Sequence, residues 1–161
     1  MAVSPIYIFD LDGTLANAEH RIHFINGNKK DWRAFFSAAS EDKPIEQVIQ
    51  TMKLLRKGGA EIWVWTGRSD EVRDETVKWL RVHCDFDARS SLLSQFLAPE
   101  RFLMRKAGDH RNDHVLKAEW LSLLDPPERG RLTAVFEDRA RVVQMWRENG
   151  VPCFQVAPGD F

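Results

Sequence analysis

Apolar residues in this chain form two kinds of pattern that alternate from one end to the other. Short continuous runs, typical of strands buried on both faces of a parallel sheet, occupy residues 5–9, 62–65, 102–104, 132–136 and 152–156. Between the runs, apolar positions recur every three or four residues, which predicts helices. Strands that alternate with helices predict an α/β domain, doubly wound, with helices on both faces of a parallel sheet and right-handed crossovers.

Single residues predict where several of the helices begin and end. Pro44 is expected to open the first long helix, at the position where proline is tolerated. Asp113 is expected to cap a later helix with its side chain. Pro126-Pro127 is expected to stop that helix, and Gly130 to mark the turn that follows.

Two segments are less regular than the rest. Residues 17–43 contain a helix predicted over residues 31–39, and they form either a small lid or cap or one more packed helix. Residues 85–100 include a short helix predicted over residues 90–97. Both segments are therefore candidates for parts that shape a binding site.

The size and composition are those of one soluble globular domain, residues 1–161, with 43% hydrophobic and 29% charged residues. The net charge of −1 argues against a broad cationic face that grips many phosphates. Cys84 and Cys153 are too few for a disulfide framework. Because no secretory signal and no membrane-spanning run is found, we expect a cytoplasmic protein that does not contact membranes.

Polar residues follow three of the five predicted strands directly. They are Asp10-Leu11-Asp12 after the first strand, Thr66-Gly67-Arg68 after the second and Glu137-Asp138 after the fourth. Because the carboxyl ends of parallel strands meet at one edge of the sheet, we expect these residues to lie together. Four carboxylates there repel one another unless a cation lies between them. Oxygen ligands that leave room for water and phosphate indicate Mg²⁺, and the scattered histidines and cysteines do not indicate zinc.

Each strand end also has a purely structural explanation. Asp12-Gly13 is a common turn signal. Thr66 and Arg68 suit an oxyanion, but a turn with Ser69 as helix cap and Arg68 at the surface explains the same residues. The coincidence of all three strand ends favours a functional site.

The motifs FDLDGTL, WTGRS, a lysine near the start of a helix, and FEDR, in this order, resemble the four motifs of the haloacid dehalogenase (HAD) superfamily of phosphotransferases. The closer resemblance is to the phosphatase domains of phage polynucleotide kinase and related bacterial and phage proteins, which heal 3′ ends. The stretches that carry it are residues 12–16 with Arg21, residues 66–68, residues 108–117 and residues 137–161.

The resemblance implies a role for each motif residue. Asp10 would be the nucleophile, and Asp12 would protonate the leaving oxygen and then deprotonate water, which requires a pKa above that of Asp10. Thr66 and Lys117 would hold the phosphoryl oxygens. The implied Mg²⁺ ligands are Asp10, Asp12 through its backbone carbonyl, Asp138 directly, and Glu137 beside it or through water.

The closer family also implies substrate-binding residues, which are Arg21, Gly67, Arg68 and Asp113. The structural alternatives are a solvated arginine for Arg21 and a helix cap for Asp113, and the cap is compatible with the functional role. Lys106 competes with Lys117 for the motif lysine. We favour Lys117 because it lies one turn into the helix that leads to the Glu137-Asp138 strand.

The chain departs from the family pattern in two places. Glu137 replaces the usual aspartate, and because its extra methylene moves an oxygen by about 1 Å, a scale that costs about 10²-fold in rate, we expect Asp138 to be the essential ligand. Residues 85–100 are longer than expected and indicate a substrate-shaping insertion. No Gly-x-x-x-x-Gly-Lys-Ser/Thr motif is present, so no kinase domain is expected.

The expected function is a Mg²⁺-dependent phosphomonoesterase that acts through an aspartyl-phosphate on polynucleotide or nucleotide 3′ ends. One alternative is a HAD phosphatase of small metabolites or mononucleotides, which the mild net charge favours. Another is a module that binds phosphorylated ends or a partner and whose catalysis has lapsed. The expected partners are a 3′-phosphorylated nucleic acid end or nucleotide as substrate and a separate kinase or ligase.

Overall fold

A sheet of five parallel strands lies at the centre of the computed structural model, which describes residues 3–88 and 102–159. Its strands are β1 (Ile6–Phe9), β4 (Glu61–Ser69), β5 (Phe102–Arg105), β6 (Leu132–Glu137) and β7 (Cys153–Gln155). Their spatial order is β5-β4-β1-β6-β7. In the register of the sheet, Phe9 lies opposite Val64 on β4 and Phe136 on β6, so the polar strand ends meet at one edge.

Helices cover both faces of this sheet, as the sequence predicted. They are α1 (Trp32–Ser37), α2 (Glu46–Lys57), α3 (Arg73–Cys84), α4 (Asp113–Ser122), α5 (Pro126–Arg131) and α6 (Ala140–Glu148). On one face α2 and α3 pack against β1 and β4 through Met52 and Trp79. On the other face α4 and α6 pack through Leu121 and Trp146 against the indole rings of β4. Successive side chains of β1 and β4 point to opposite faces of the sheet and are buried in two different hydrophobic cores. Burial on both faces explains why their apolar runs are continuous.

Several predicted boundaries were wrong. Pro44 does not open α2, because it pairs with Ala16 in a small antiparallel sheet of β2 (Ala16–Asn17) and β3 (Lys43–Pro44). Residues 66–69 belong to β4 and are not a turn. Pro126 begins α5, where its missing N–H costs nothing, and Gly130 lies inside that helix.

The β2–β3 pairing joins the two ends of residues 17–43 beside the sheet. Between them lie a 3₁₀ turn (Glu19–Phe24), α1 with Asp31 as its capping residue, and a second 3₁₀ turn (Ala38–Glu41). The helix predicted over residues 90–97 lies outside the described residues, as does most of the expected insertion at 85–100. Within residues 3–88 and 102–159, no helix is long and apolar enough to cross a membrane.

Candidate active site

Asp10 follows β1 directly and forms an ion pair with Lys117 from α4. Lys117 Nζ donates to Asp10 Oδ1 at 2.5 Å and to Glu137 Oε2 at 2.7 Å, and all three side chains are buried. Burial lowers the pKa of Lys117, but Asp10 and Glu137 raise it above its usual range, so the amine stays charged. Lys106, in contrast, is exposed and pairs with Asp70. Lys117 is therefore the lysine that contacts the acidic cluster.

The acidic cluster consists of Asp10, Glu137 and Asp138, which have carboxylate oxygens within 4.8 Å of one another. Burial and the charge of Glu137 raise the pKa of Asp10 to about 8. Burial likewise raises the pKa of Glu137 to about 7, and burial with the charge of Asp10 raises that of Asp138 to about 6. Such shifts show that ionising all three carboxylates is costly unless a cation is bound between them.

Glu137, the last residue of β6, and Asp138, which follows it, differ in the hydrogen bonds that their carboxylate oxygens accept. Glu137 Oε1 accepts from the backbone amides of Asp138 at 3.1 Å and Arg139 at 3.3 Å, and its other oxygen accepts from Lys117. Asp138 Oδ1 is buried and has no hydrogen-bond partner in the described part of the chain. A buried oxygen without a donor, within an all-oxygen cluster, fits a hard divalent cation such as Mg²⁺. The contacts thus support Asp138 as a direct ligand and give Glu137 a role in holding Lys117.

Gly13 allows Asp138 to reach this position. The residue has φ of 85°, and a Cβ added to it would lie 2.5 Å from Asp138 Cγ. Real Cβ atoms do not come so close to other atoms, so any side chain at position 13 would displace the carboxylate. The Asp12-Gly13 pair also fits an ordinary turn, but here a glycine is required at position 13 because the backbone packs directly against the Asp138 carboxylate.

Asp12 lies between two guanidinium groups. Its Oδ1 accepts from Arg21 Nη2 at 2.6 Å and from Arg68 Nη2. Burial raises the pKa of Asp12, but the charges of Arg68 and Arg21 outweigh burial and lower it to about 2. Without a bound metal, the pKa of Asp12 thus lies below that of Asp10, the reverse of the order that the acid role requires, because the arginines stabilise one carboxylate and burial destabilises the other.

Sequence reasoning missed the residue that holds both arginines in place. Asp42 is buried, and its carboxylate accepts from Arg21 Nε at 2.7 Å, from Arg21 Nη2 at 2.6 Å and from Arg68 Nη2 at 2.9 Å. Its backbone carbonyl accepts from Trp79 Nε1 at 2.8 Å, and His20 contacts Oδ1. Arg21 and Arg68 are almost fully buried, so the solvated and surface alternatives are both wrong. Two buried cations beside one aspartate require a second carboxylate, but the burial of Arg21 and Arg68 has no signal in the sequence.

Asp113 contacts the opposite wall of the site and does not cap its helix. The capping position of α4 is Asn112, and no side-chain cap bond forms there. The Asp113 carboxylate instead accepts from Arg139 Nη1 at 2.9 Å and from Arg105 Nη2. A Cβ at Gly67 would lie 2.6 Å from Asp113 Cγ, so this glycine is needed for the close approach. Arg105 also donates to the Gly67 carbonyl at 2.8 Å, which ties β4 to the start of α4.

These residues surround a cleft with a volume of about 620 Å³. Of the residues predicted for the site, those that line the cleft are Asp10, Asp12, Thr66, Gly67, Arg68, Asp113 and Asp138. Lys117, Glu137 and Arg21 lie directly behind this lining and contact it. Thr66 is buried and its hydroxyl oxygen accepts from the Arg68 amide at 3.1 Å. The cleft therefore joins carboxylates, cations and a hydroxyl at the edge of the sheet.

Comparison with known proteins identifies similar chains. A family model described as the polynucleotide kinase PNKP phosphatase domain matches residues 4–161. A protein of Autographa californica nuclear polyhedrosis virus, described as a bifunctional polynucleotide kinase/RNA ligase, is 30% identical over 146 residues, which is 89% of this chain and 18% of that protein. The chain thus spans less than a fifth of this relative.

Two solved structures are similar to this chain. A chain in the structure of the Pnkp1/Rnl/Hen1 RNA repair complex has a TM-score of 0.73 and 30% identity, covering 98% of this chain and 44% of that one. The class C acid phosphatase from Bacillus anthracis has a TM-score of 0.63 at 16% identity, covering 98% of this chain and 67% of that one. The second likeness shows the α/β fold alone.

Proposed function

Because the chain belongs to the polynucleotide kinase PNKP phosphatase domain family, and is therefore a HAD-type phosphatase and a phosphoric monoester hydrolase, we propose that it removes phosphate from nucleic acid or nucleotide 3′ ends. The observation that carries the proposal is the placement of Asp10 in the cleft, with Lys117 on one side and Asp138 on the other. This arrangement gives a carboxylate nucleophile, a cation and an acidic cluster at one point.

Asp10 is the proposed nucleophile, and its ionised form is the one that can attack phosphorus to give an aspartyl-phosphate. Lys117 stabilises that form through the 2.5 Å contact with Oδ1. The second Asp10 oxygen then remains for the phosphoryl group. Lys117 also pairs with Glu137, which offsets part of the negative charge that raises the pKa of Asp10.

Asp10, Asp138 and the Asp12 carbonyl would hold Mg²⁺, which when bound offsets the negative charge of the acids and polarises the phosphoryl group. Arg21 and Arg68 hold Asp12 in a fixed, ionised position. An incoming phosphate brings negative charge beside Asp12, which disfavours the ionised carboxylate, so substrate binding raises the pKa of Asp12 toward the range of a proton donor. After the leaving oxygen departs, Asp12 is placed to take a proton from water.

The relatives also indicate which other enzymatic activities act together with a phosphatase of this kind. The viral relative is described as a kinase and ligase, and the structural relative comes from an RNA repair complex. We therefore propose that a kinase or ligase activity acts on the same nucleic acid strands before or after this phosphatase. A 3′-hydroxyl is the product that such a sequence of reactions requires.

The test is a phosphate-release assay with RNA and DNA oligonucleotides that carry a 3′-phosphate or a 5′-phosphate, with mononucleotides as a third substrate class. We expect turnover of 3′-phosphates in Mg²⁺ and none in excess chelator. Asp10→Asn should abolish turnover, because uncatalysed phosphate-monoester hydrolysis is so slow that enzymes accelerate such reactions by up to about 10²¹-fold.

The matched control is Asp74→Asn, which makes the same chemical change at an exposed position of α3 and should retain full activity. Activity of Asp10→Asn close to that of the control would contradict the mechanism. Equal turnover of mononucleotides and 3′-phosphorylated oligonucleotides would instead favour the small-molecule phosphatase. No turnover of any substrate would favour a module that only binds phosphorylated ends.

A further inference from the structure

The cleft has an aromatic wall, formed by Trp32, Phe35 and Phe36 on α1, that the proposed chemistry does not use. The rings of Trp32 and Phe36 stack with an interplanar angle of 26° and centroids 5.9 Å apart. Phe35 is buried beneath them and meets Trp32 edge-on at 5.8 Å. Trp32 is 43% exposed, which leaves a large apolar ring open to solvent at the mouth of the cleft.

This wall is attached directly to the catalytic residues. The Arg21 guanidinium lies 4.2 Å from the centre of the Phe35 ring and donates to the Phe35 carbonyl at 3.3 Å. The same guanidinium donates to Asp12. A single arginine thus separates the aromatic wall from the acid that acts on the leaving oxygen. Asp12 and the aromatic wall therefore border the same cleft.

Two basic residues, Lys30 and Arg33, lie on or just before α1. Lys30 Nζ lies 5.7 Å from the centre of the Trp32 ring. Arg33 also lines the cleft and makes no ion pair with the described residues. An apolar ring flanked by cations suits a ligand with a flat aromatic part and a negative backbone, which describes a nucleotide in a single strand.

We infer that the α1 wall is a stacking site for the nucleobase of the terminal nucleotide whose 3′-phosphate is removed. The inference rests on the proposed function and deepens it by naming how the substrate is recognised. A base that stacks on protein must leave its own partner, so the site selects unpaired 3′ ends. Because every base has a π face, stacking gives little preference among the four bases.

The test compares two 3′-phosphorylated oligonucleotides that differ only in whether the terminal nucleotide has a base or is a tetrahydrofuran abasic residue. Trp32→Ala should lower kcat/KM by about 10-fold or more for the normal substrate, and by less than about twofold for the abasic one. Trp32→Phe keeps an aromatic ring and should retain most of the activity on both. Wild type should also prefer a single-stranded 3′ end to a blunt duplex end.

The matched control is Phe154→Ala, which removes an exposed aromatic ring on β7 outside the cleft and should change neither rate. An equal loss on both substrates in Trp32→Ala would overturn the base contact while leaving the 3′-phosphatase activity intact. Absence of wild-type activity on either oligonucleotide would instead contradict the proposed function, and this inference with it. Full retention of activity on the normal substrate in Trp32→Ala would also overturn it.

Discussion

Substitution of Gly13 by alanine tests whether the position of Asp138 controls the chemistry. The backbone at Gly13 has φ of 85°, and alanine in this left-handed region costs roughly 1–2 kcal/mol. The added Cβ would lie 2.5 Å from Asp138 Cγ, so the carboxylate must move by roughly 1 Å. Since a displacement of that scale in an active site costs about 10²-fold, we expect kcat to fall by about that factor.

Gly59→Ala is the matched control for this experiment. Gly59 has φ of 91°, and no described atom comes within 4 Å of a Cβ added there. Both variants should therefore lose similar free energy of unfolding in urea titrations. Only Gly13→Ala should lose phosphatase activity, and it should also need more Mg²⁺ to reach half of its maximal rate.

The experiment can refute the proposed role of Asp138 as a direct ligand. If Gly13→Ala keeps the kcat and Mg²⁺ dependence of Gly59→Ala, then Asp138 tolerates displacement, and its proposed role as a direct ligand is wrong. A loss of stability in Gly13→Ala much larger than that of the control would show that the clash is absorbed by the fold instead of by the carboxylate.

Further predictions concern buried ionisable groups. Asp42→Asn leaves two buried arginines sharing Asp12, so we expect a loss of about 3 kcal/mol in urea unfolding and a lower kcat/KM; unchanged values would contradict the positioning role. The pKa of Asp12 is lowered from its ordinary value of 3.8 to about 2, so in metal-free buffer the ionised carboxylate stabilises the fold at pH values above 3.8. This contribution disappears as the pH falls toward about 2. The stability difference between wild type and Asp12→Asn should shrink over that range. Burial raises the pKa of Cys84 and Cys153 to about 12, so mass spectrometry should find neither alkylated by iodoacetamide in the native protein near neutral pH, and both alkylated in urea.

The sheet and the cluster at its edge were predictable because they depend on local patterns and one general rule. Continuous apolar runs indicated the strands, and parallel strands place their carboxyl ends together. That rule was enough to associate Asp10 with Glu137-Asp138 across more than a hundred residues of sequence. The preference for Lys117 over Lys106 followed from the same topology, and in the structure Lys117 is buried and contacts Asp10.

The parts that were missed depend on which long side chains are buried, and sequence patterns do not record that. Asp42 meets Arg21 and Arg68 only through tertiary packing, 21 and 26 residues away. Asp113 satisfies the pattern of a helix cap, but two arginines from other elements compete successfully for its carboxylate. Proline is equally compatible with the start of a helix and with an edge strand. Pro44 lies in a short strand because it pairs with Ala16.

The pairing of β2 with β3 has a consequence for how this fold can be modified. Because the ends of residues 17–43 are held together, the segment has the geometry of an exchangeable insert that loop grafting between relatives would target. Arg21 and Asp42 lie inside it, however, and they hold the Asp12 side chain. A chimaera that imports a new segment therefore replaces residues that position the proposed acid–base group, together with the proposed stacking wall. Grafts that conserve an arginine and an aspartate at these two positions should be active, and others should be less stable and turn over substrate more slowly.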